Sequence, residues 1–220
     1  MHPSLLLLTD SRLPAGGHAH SGGTERAIAS GAVHDVPSLA AFLHGRLRTT
    51  GTVTAALTAA ACAPSPPWEA LDAEVDARTA SPAQRDASRT QGRLLLRVAR
   101  RVWPSAVLDE LARAIPNPHH PIVLGAAAHA AGATPEEAAL AAAYHAVSGP
   151  ATAAVRLLGL DPVAVHALLA RLTPDLTAVA AEACLAAAPL RWETLPAYSA
   201  PALDLLAEQH AQAEVRLFVS

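Results

Sequence analysis

Four times along this chain an oxygen-bearing side chain is followed by proline and then by an alanine- and leucine-rich run: Ser81-Pro82, Thr134-Pro135, Asp161-Pro162 and Thr173-Pro174. Such a pair marks a helix start. The first side chain can accept a hydrogen bond from a free amide of the first turn, while proline presets φ and has no N–H to leave unpaired. Thr134 also has Glu137 three residues on, which makes a capping box. Between these marks apolar residues recur at spacings of three and four, as in Leu95, Val98, Ala99 and Val102, and no segment alternates convincingly with period two. The expectation is an all-α fold, a single-domain helical bundle of about ten helices over residues 1–220. Approximate helical segments are 4–9, 24–31, 38–50, 53–62, 68–78, 82–102, 105–114, 121–131, 135–148, 151–159, 162–171, 174–187 and 201–217, several of which can merge. The proline-rich connectors 63–67 and 115–121 are too short for flexible interdomain linkers.

Hydrophobic residues make up 51% of the chain and aromatic residues only 3%, so the interior must be filled by small side chains that let helices approach closely. A net charge of −3 gives no general attraction to nucleic acid or to an anionic membrane. All sixteen basic residues are arginine, a bias that fits genomic base composition better than function. Cys62 and Cys184 stand far apart outside any C-x-x-C pattern, and neither a leader nor an apolar run of membrane-spanning length is present, so a cytoplasmic location is expected.

The stretch PAGGHAHSGGTE, Pro14 to Glu25, holds four glycines, two histidines, a serine and a threonine. His18 and His20, or His119 and His120, could supply two metal ligands. A stable transition-metal site needs three or four converging donors, and no H-E-x-x-H or cysteine cluster completes either pair. A phosphate cradle at Ser21-Gly22-Gly23-Thr24 lacks both a G-K-[ST] motif and a preceding strand. Along the 82–102 segment Arg85, Arg89, Arg93, Arg97 and Arg101 step four residues at a time with only Asp86 as an acid, forming a slowly winding basic stripe. That stripe is either a solvated face or a surface for acidic protein or phosphate. No nucleophile sits in a recognisable catalytic frame; Ser21 is outside G-x-S-x-G, and Glu136 and Glu137 belong to a helix start. The chain closes on Arg216, Leu217, Phe218, Val219 and Ser220, an oily end that either docks into its own core or is held for a partner.

In order along the chain, these segments resemble the urease accessory protein UreF family. The resemblance rests on Leu6-Leu7-Leu8, the block Asp10 to Glu25, Ala87-Ser88-Arg89-Thr90-Gln91-Gly92-Arg93-Leu94-Leu95, His120-Pro121 with Gly125, Ala153-Ala154-Val155-Arg156-Leu157, then Pro201, Asp204, His210 and the terminal Arg216-Leu217-Phe218-x-Ser220. The chain departs from the family where His18 replaces a frequent phenylalanine and where Leu158-Gly159-Leu160-Asp161 replaces a frequent P-L-G-Q. The resemblance implies a helical, commonly dimeric protein with no cofactor and no chemistry of its own. Such a protein bridges the accessory subunit UreD (also called UreH) and the nickel-carrying GTPase UreG beside apo-urease. It further implies that the partner-binding residues are Pro14, Gly16, Gly17, His18, His20, Ser21, Gly22 and Glu25 with Arg216, Leu217, Phe218 and Ser220. A second surface is expected at Arg85, Arg89, Arg93 and Arg97, and His20 is a candidate transient nickel ligand in a chain with no resident metal. The alternatives are a helical metal-storing or metal-sensing protein using the histidines, and a helical-bundle enzyme with a cofactor in its core. Neither nucleic acid nor membrane is expected as a partner.

Overall fold

The computed structural model describes residues 3–16, 20–188, 191–213 and 217–218; helices joined by turns and loops make up this structure, with no strand among the described residues. In chain order the helices are α1 (Ser4–Leu8), α2 (Thr24–Ala29), α3 (Val36–Arg46), α4 (Thr52–Ala61), α5 (Trp68–Arg78), α6 (Pro82–Val102), α7 (Ala106–Ala114), α8 (His120–Ala130), α9 (Pro135–Leu158), α10 (Pro162–Arg171), α11 (Thr173–Ala187) and α12 (Pro201–Ala211). The start signals act as their chemistry requires at three of the four sites. Ser81 accepts from the Gln84 amide, Asp161 from the Val163 amide, and Thr134 and Glu137 form the reciprocal capping box. Thr173 instead lies inside α11, whose cap is Leu172 with no side-chain hydrogen bond.

The centre of the molecule is α4, packed against α8, α9 and α11. Its sequence, TVTAALTAAA, is buried at every position but Thr54. Small side chains permit this because backbones can approach until a side chain has no room. A Cβ placed on Gly125 of α8 would lie 2.3 Å from the Thr58 carbonyl oxygen and 2.7 Å from the Ala61 Cβ of α4. Alanine cores gain little per residue from burial, so close contact along whole helices has to supply the dispersion energy that large side chains would otherwise give.

Two expected breaks are absent. Residues Leu47–Gly51 form a π-helical turn that carries α3 directly into α4, with the Thr52 hydroxyl donating to the Leu47 carbonyl at 3.1 Å. The segments expected at 135–148 and 151–159 are one 24-residue helix, α9, with Pro150 inside it. Proline at 150 removes the hydrogen bond to the Ala146 carbonyl. The freed oxygen instead accepts from Nε of Arg46 at 3.0 Å, so the helix continues through its defect. At the C-terminal end, α12 stops at Ala211, short of the expected 217. Among the described residues no single helix is long and apolar enough to cross a membrane; the bent pair α10 and α11, 45° apart, passes that test only when its halves are joined.

Gly125→Val forces the α4 and α8 backbones apart and should cost about 1–3 kcal/mol of stability. The urea midpoint should fall with m unchanged. A midpoint equal to that of the wild type contradicts the close-packing account.

Candidate partner-binding site

The loop before α2 and the end of the chain, nearly two hundred residues apart, meet at Glu25. Its carboxylate accepts from the amides of Leu217, at 2.9 Å, and Phe218, at 3.2 Å. His210, at the end of α12, donates from Nε2 to the Phe218 carbonyl at 3.1 Å, and its Nδ1 lies 3.8 Å from Glu25. The Phe218 ring is buried and carries the Arg156 guanidinium of α9 5.0 Å from its centroid, within cation–π range. Leu217 beside it is 74% exposed. The tail therefore docks one side chain and offers the next. α12 makes this possible by packing on both α2 and α6, where Glu208 accepts from the Ala83 amide at 3.0 Å and Gln84 donates to Asp204 at 3.2 Å. The Ser81 hydroxyl also bonds Glu208 and, with that amide, holds its pKa below the usual carboxylate value.

The loop itself is shaped from within. Gly22 has φ +59, and a Cβ there would meet Pro150 at 3.1 Å and the Arg46 guanidinium at 3.2 Å. Arg46 donates to the Gly22 carbonyl at 2.9 Å with the same side chain that closes the α9 defect, so one cation ties the loop to α9 at Pro150. Burial lowers its pKa to about 10, which leaves it charged at neutral pH. Ser21 and Thr24 are fully buried, and the Ser21 hydroxyl accepts from the Glu25 amide at 3.4 Å. Pro14 is exposed, Gly16 and Gly22 are half-buried, and a Cβ on Gly16 would lie 2.8 Å from Leu94 of α6. Gly17, His18, Arg216 and Ser220, four of the residues expected at the site, lie outside the described residues.

His20 is only 7% exposed, so it faces the interior more than a solvent-side partner. It belongs with His120, at the start of α8, and His145 of α9, whose rings are 6.2 Å apart. Burial, then the neighbouring His145 and His20, lowers the His120 pKa to about 3. Burial lowers that of His145 to about 4 despite a hydrogen bond to the Leu8 backbone. These rings are neutral in the fold. His119, fully buried, donates its amide to Asp72 at 2.8 Å, places Nε2 2.9 Å from Asp76 and Nδ1 3.1 Å from the Ser88 hydroxyl. The carboxylate can only accept, which puts the ring proton on Nε2 and lets Ser88 donate to Nδ1. Burial keeps the His119 pKa low.

Asp72, Asp76 and His119 are the one described group able to gather three ligands around a cation. Arg89 already fills that role, donating to Asp72 at 3.0 Å, Asp76 at 2.6 Å and the Asn117 carbonyl at 2.7 Å. The SRTQG segment is thereby explained as a clamp. Ser88 accepts from the His120 amide at 3.2 Å, and Gly92 passes so near the 118–120 backbone that a Cβ would lie 2.0 Å from the Pro118 oxygen. Arg85 is also turned inward, donating to the Thr79 and Ala80 carbonyls, whereas Arg93 and Arg97 stay exposed. Sequence reasoning missed Arg46 and Arg156. A proline inside a helix signals a carbonyl in need of a donor, but not which donor will come.

The sequence model of UreF matches residues 33–173, well over half of the chain. The chain belongs to the UreF family. That match leaves out both ends of the candidate site, but full-length relatives cover them. The urease accessory protein UreF of Mycolicibacterium vanbaalenii is 48% identical over 220 residues, 99% of this chain and 98% of its own length. Its namesakes from Mycobacterium marinum and Mycobacterium tuberculosis are 47% and 44% identical, each over 98% of this chain and 97% of their own. UreF membership thus covers the α-helical body and both ends together.

His119, His120 and His145 all have pKa values pushed below 6.5 by burial. As pH falls below about 6.5 the unfolded chain takes up protons that the folded chain refuses. Stability should therefore be full above that pH and decline towards pH 4, by up to about 1.4 kcal/mol per pH unit for each imidazole. Urea midpoints measured from pH 7 to 4.5 check this, and His120→Gln should flatten the slope. A pH-independent midpoint contradicts it.

Proposed function

We propose that this chain is a non-catalytic adaptor of urease maturation. One face, made by the 14–25 loop and the 216–220 tail, grips the accessory subunit UreD (UreH), while another part of the protein engages the GTPase UreG, so that nickel reaches apo-urease inside one assembly. The observation that carries the reading is the Glu25 contact with the Leu217 and Phe218 amides, in a chain whose relatives named urease accessory protein UreF match it from end to end. A carboxylate holding two backbone amides fixes the tail in register with the loop, and the exposed Leu217 supplies an apolar anchor at its edge.

The absence of chemistry is part of the proposal. It is supported by where the buried ionisable groups are spent. Arg89 pairs with Asp72 and Asp76, His119 hydrogen-bonds both carboxylates between α5, α6 and α8, and Arg46 is used up on two carbonyls. Nickel enters as cargo, and the place of His20 beside His120 and His145 supports a passing contact from within the fold. The protein acts in the cytoplasm, as a homodimer, and as a single domain built on one continuous buried core.

Removing residues 216–220 should abolish copurification with UreD while circular dichroism remains helical. Glu25→Ala, which leaves the tail amides without their acceptor, should weaken capture about tenfold or more. Wild-type-like capture by both variants contradicts the proposed face.

A further inference from the structure

The arginine stripe of α6 divides into two groups. Arg85 and Arg89 are spent on the protein's own carbonyls and carboxylates. Beyond them, α6 and α7 enclose an open groove of about 560 Å³ lined by Arg93, Arg97 and Arg101 together with Leu96, Ala112 and Pro116. Arg100 also borders it and is paired with Asp109 of α7, Nε to Oδ1 at 2.9 Å. Arg93, Arg97 and Arg101 are exposed and make no hydrogen bond or ion pair among the described residues. Three unneutralised guanidinium groups in one row stand out on a chain whose net charge is −3.

We propose that this groove docks an acidic helical segment of a partner protein. Residues four apart on a helix rise about 6 Å, so the three guanidinium groups form a row roughly 12 Å long. Carboxylates placed four apart on a facing helix repeat at the same interval, and each can take a two-pronged arginine contact. The apolar lining decides between a protein and a nucleic acid. Leu96, Ala112 and Pro116 give a helix something to bury, whereas the lining has no aromatic ring on which a base could stack. Gly16 of the loop packs on Leu94 of α6, so the loop and the groove share that helix. The inference rests on the adaptor reading only for why a second partner exists.

The direct test titrates the full chain into fluorescein-labelled, alanine-based helical peptides carrying either Glu or Gln at every fourth position, with a short DNA duplex as competitor. The Glu peptide should bind at least about tenfold more tightly than the Gln peptide, with affinity falling as salt rises. The Arg93→Ala, Arg97→Ala, Arg101→Ala triple variant should abolish that preference with its thermal melt unchanged, since alanine suits an exposed helical position. Equal binding of the two peptides, full binding by the triple variant, or DNA outcompeting the Glu peptide each overturns the proposal. The chain lacking residues 216–220 should still bind the Glu peptide. If that truncated chain also retains UreD, the loop and tail face is wrong while the groove stands. If it loses UreD and the triple variant still prefers the Glu peptide, the groove is wrong while the face stands.

Discussion

The approach of α8 to α4 at Gly125 is the constraint on which the rest of the molecule depends. At that crossing a carbonyl oxygen of one helix occupies the space where a side chain of the other would begin. Only a core of alanine, glycine and threonine can be built this way, and it makes α4 the axis on which α8, α9 and α11 are set. A close-packed interior is stiff, because shifting one helix means losing many small contacts at once. Stiffness suits the proposed adaptor, whose work is holding others in position. Loops laid on such a body can keep a defined shape without a large core of their own.

The body shapes the candidate site through a defect. Pro150 leaves the Ala146 carbonyl without its helical partner, Arg46 crosses to it from the end of α3, and the same guanidinium reaches the Gly22 carbonyl of the loop. A partly buried cation without a carboxylate is costly unless its donors are used, and here two carbonyl groups in need of donors use them. The loop leads into α2, where the Glu25 carboxylate of the first turn sets the tail, and Arg156 on α9, six residues beyond Pro150, covers the docked Phe218 ring. Both ends of the chain thus refer back to α9. The clamp of Arg89, Asp72, Asp76, His119 and Ser88 does the same service on the other side, where it ties α6 to α5 and to the start of α8.

What was legible in the sequence was local chemistry. The caps at Ser81, Thr134 and Asp161 and the uninterrupted 82–102 helix could be read because the partners lie within a few residues. Gly149-Pro150 misled because the compensation for its missing hydrogen bond comes from residue 46, and Gly51 misled because a π-turn lets the chain continue where a break was expected. The arginine periodicity was visible as a stripe, but a four-residue spacing carries no information about which side chains find acids on another helix. His20 looked like a loop residue and proves to be interior, since glycines around it permit a turn that aims the ring at α8 and α9. The Glu25 junction had no sequence signal, because its two halves meet only after the whole body has folded.

Hydrogen–deuterium exchange on the isolated chain and on its complex with UreD tests the central claim most directly, because it reads the two ends separately in one experiment. The account predicts that complex formation slows exchange in the peptides covering 14–25 and 213–220 together, with the α4 and α8 peptides already slow in both states. Protection elsewhere on the surface, with both end segments exchanging as they do in the free protein, would contradict it.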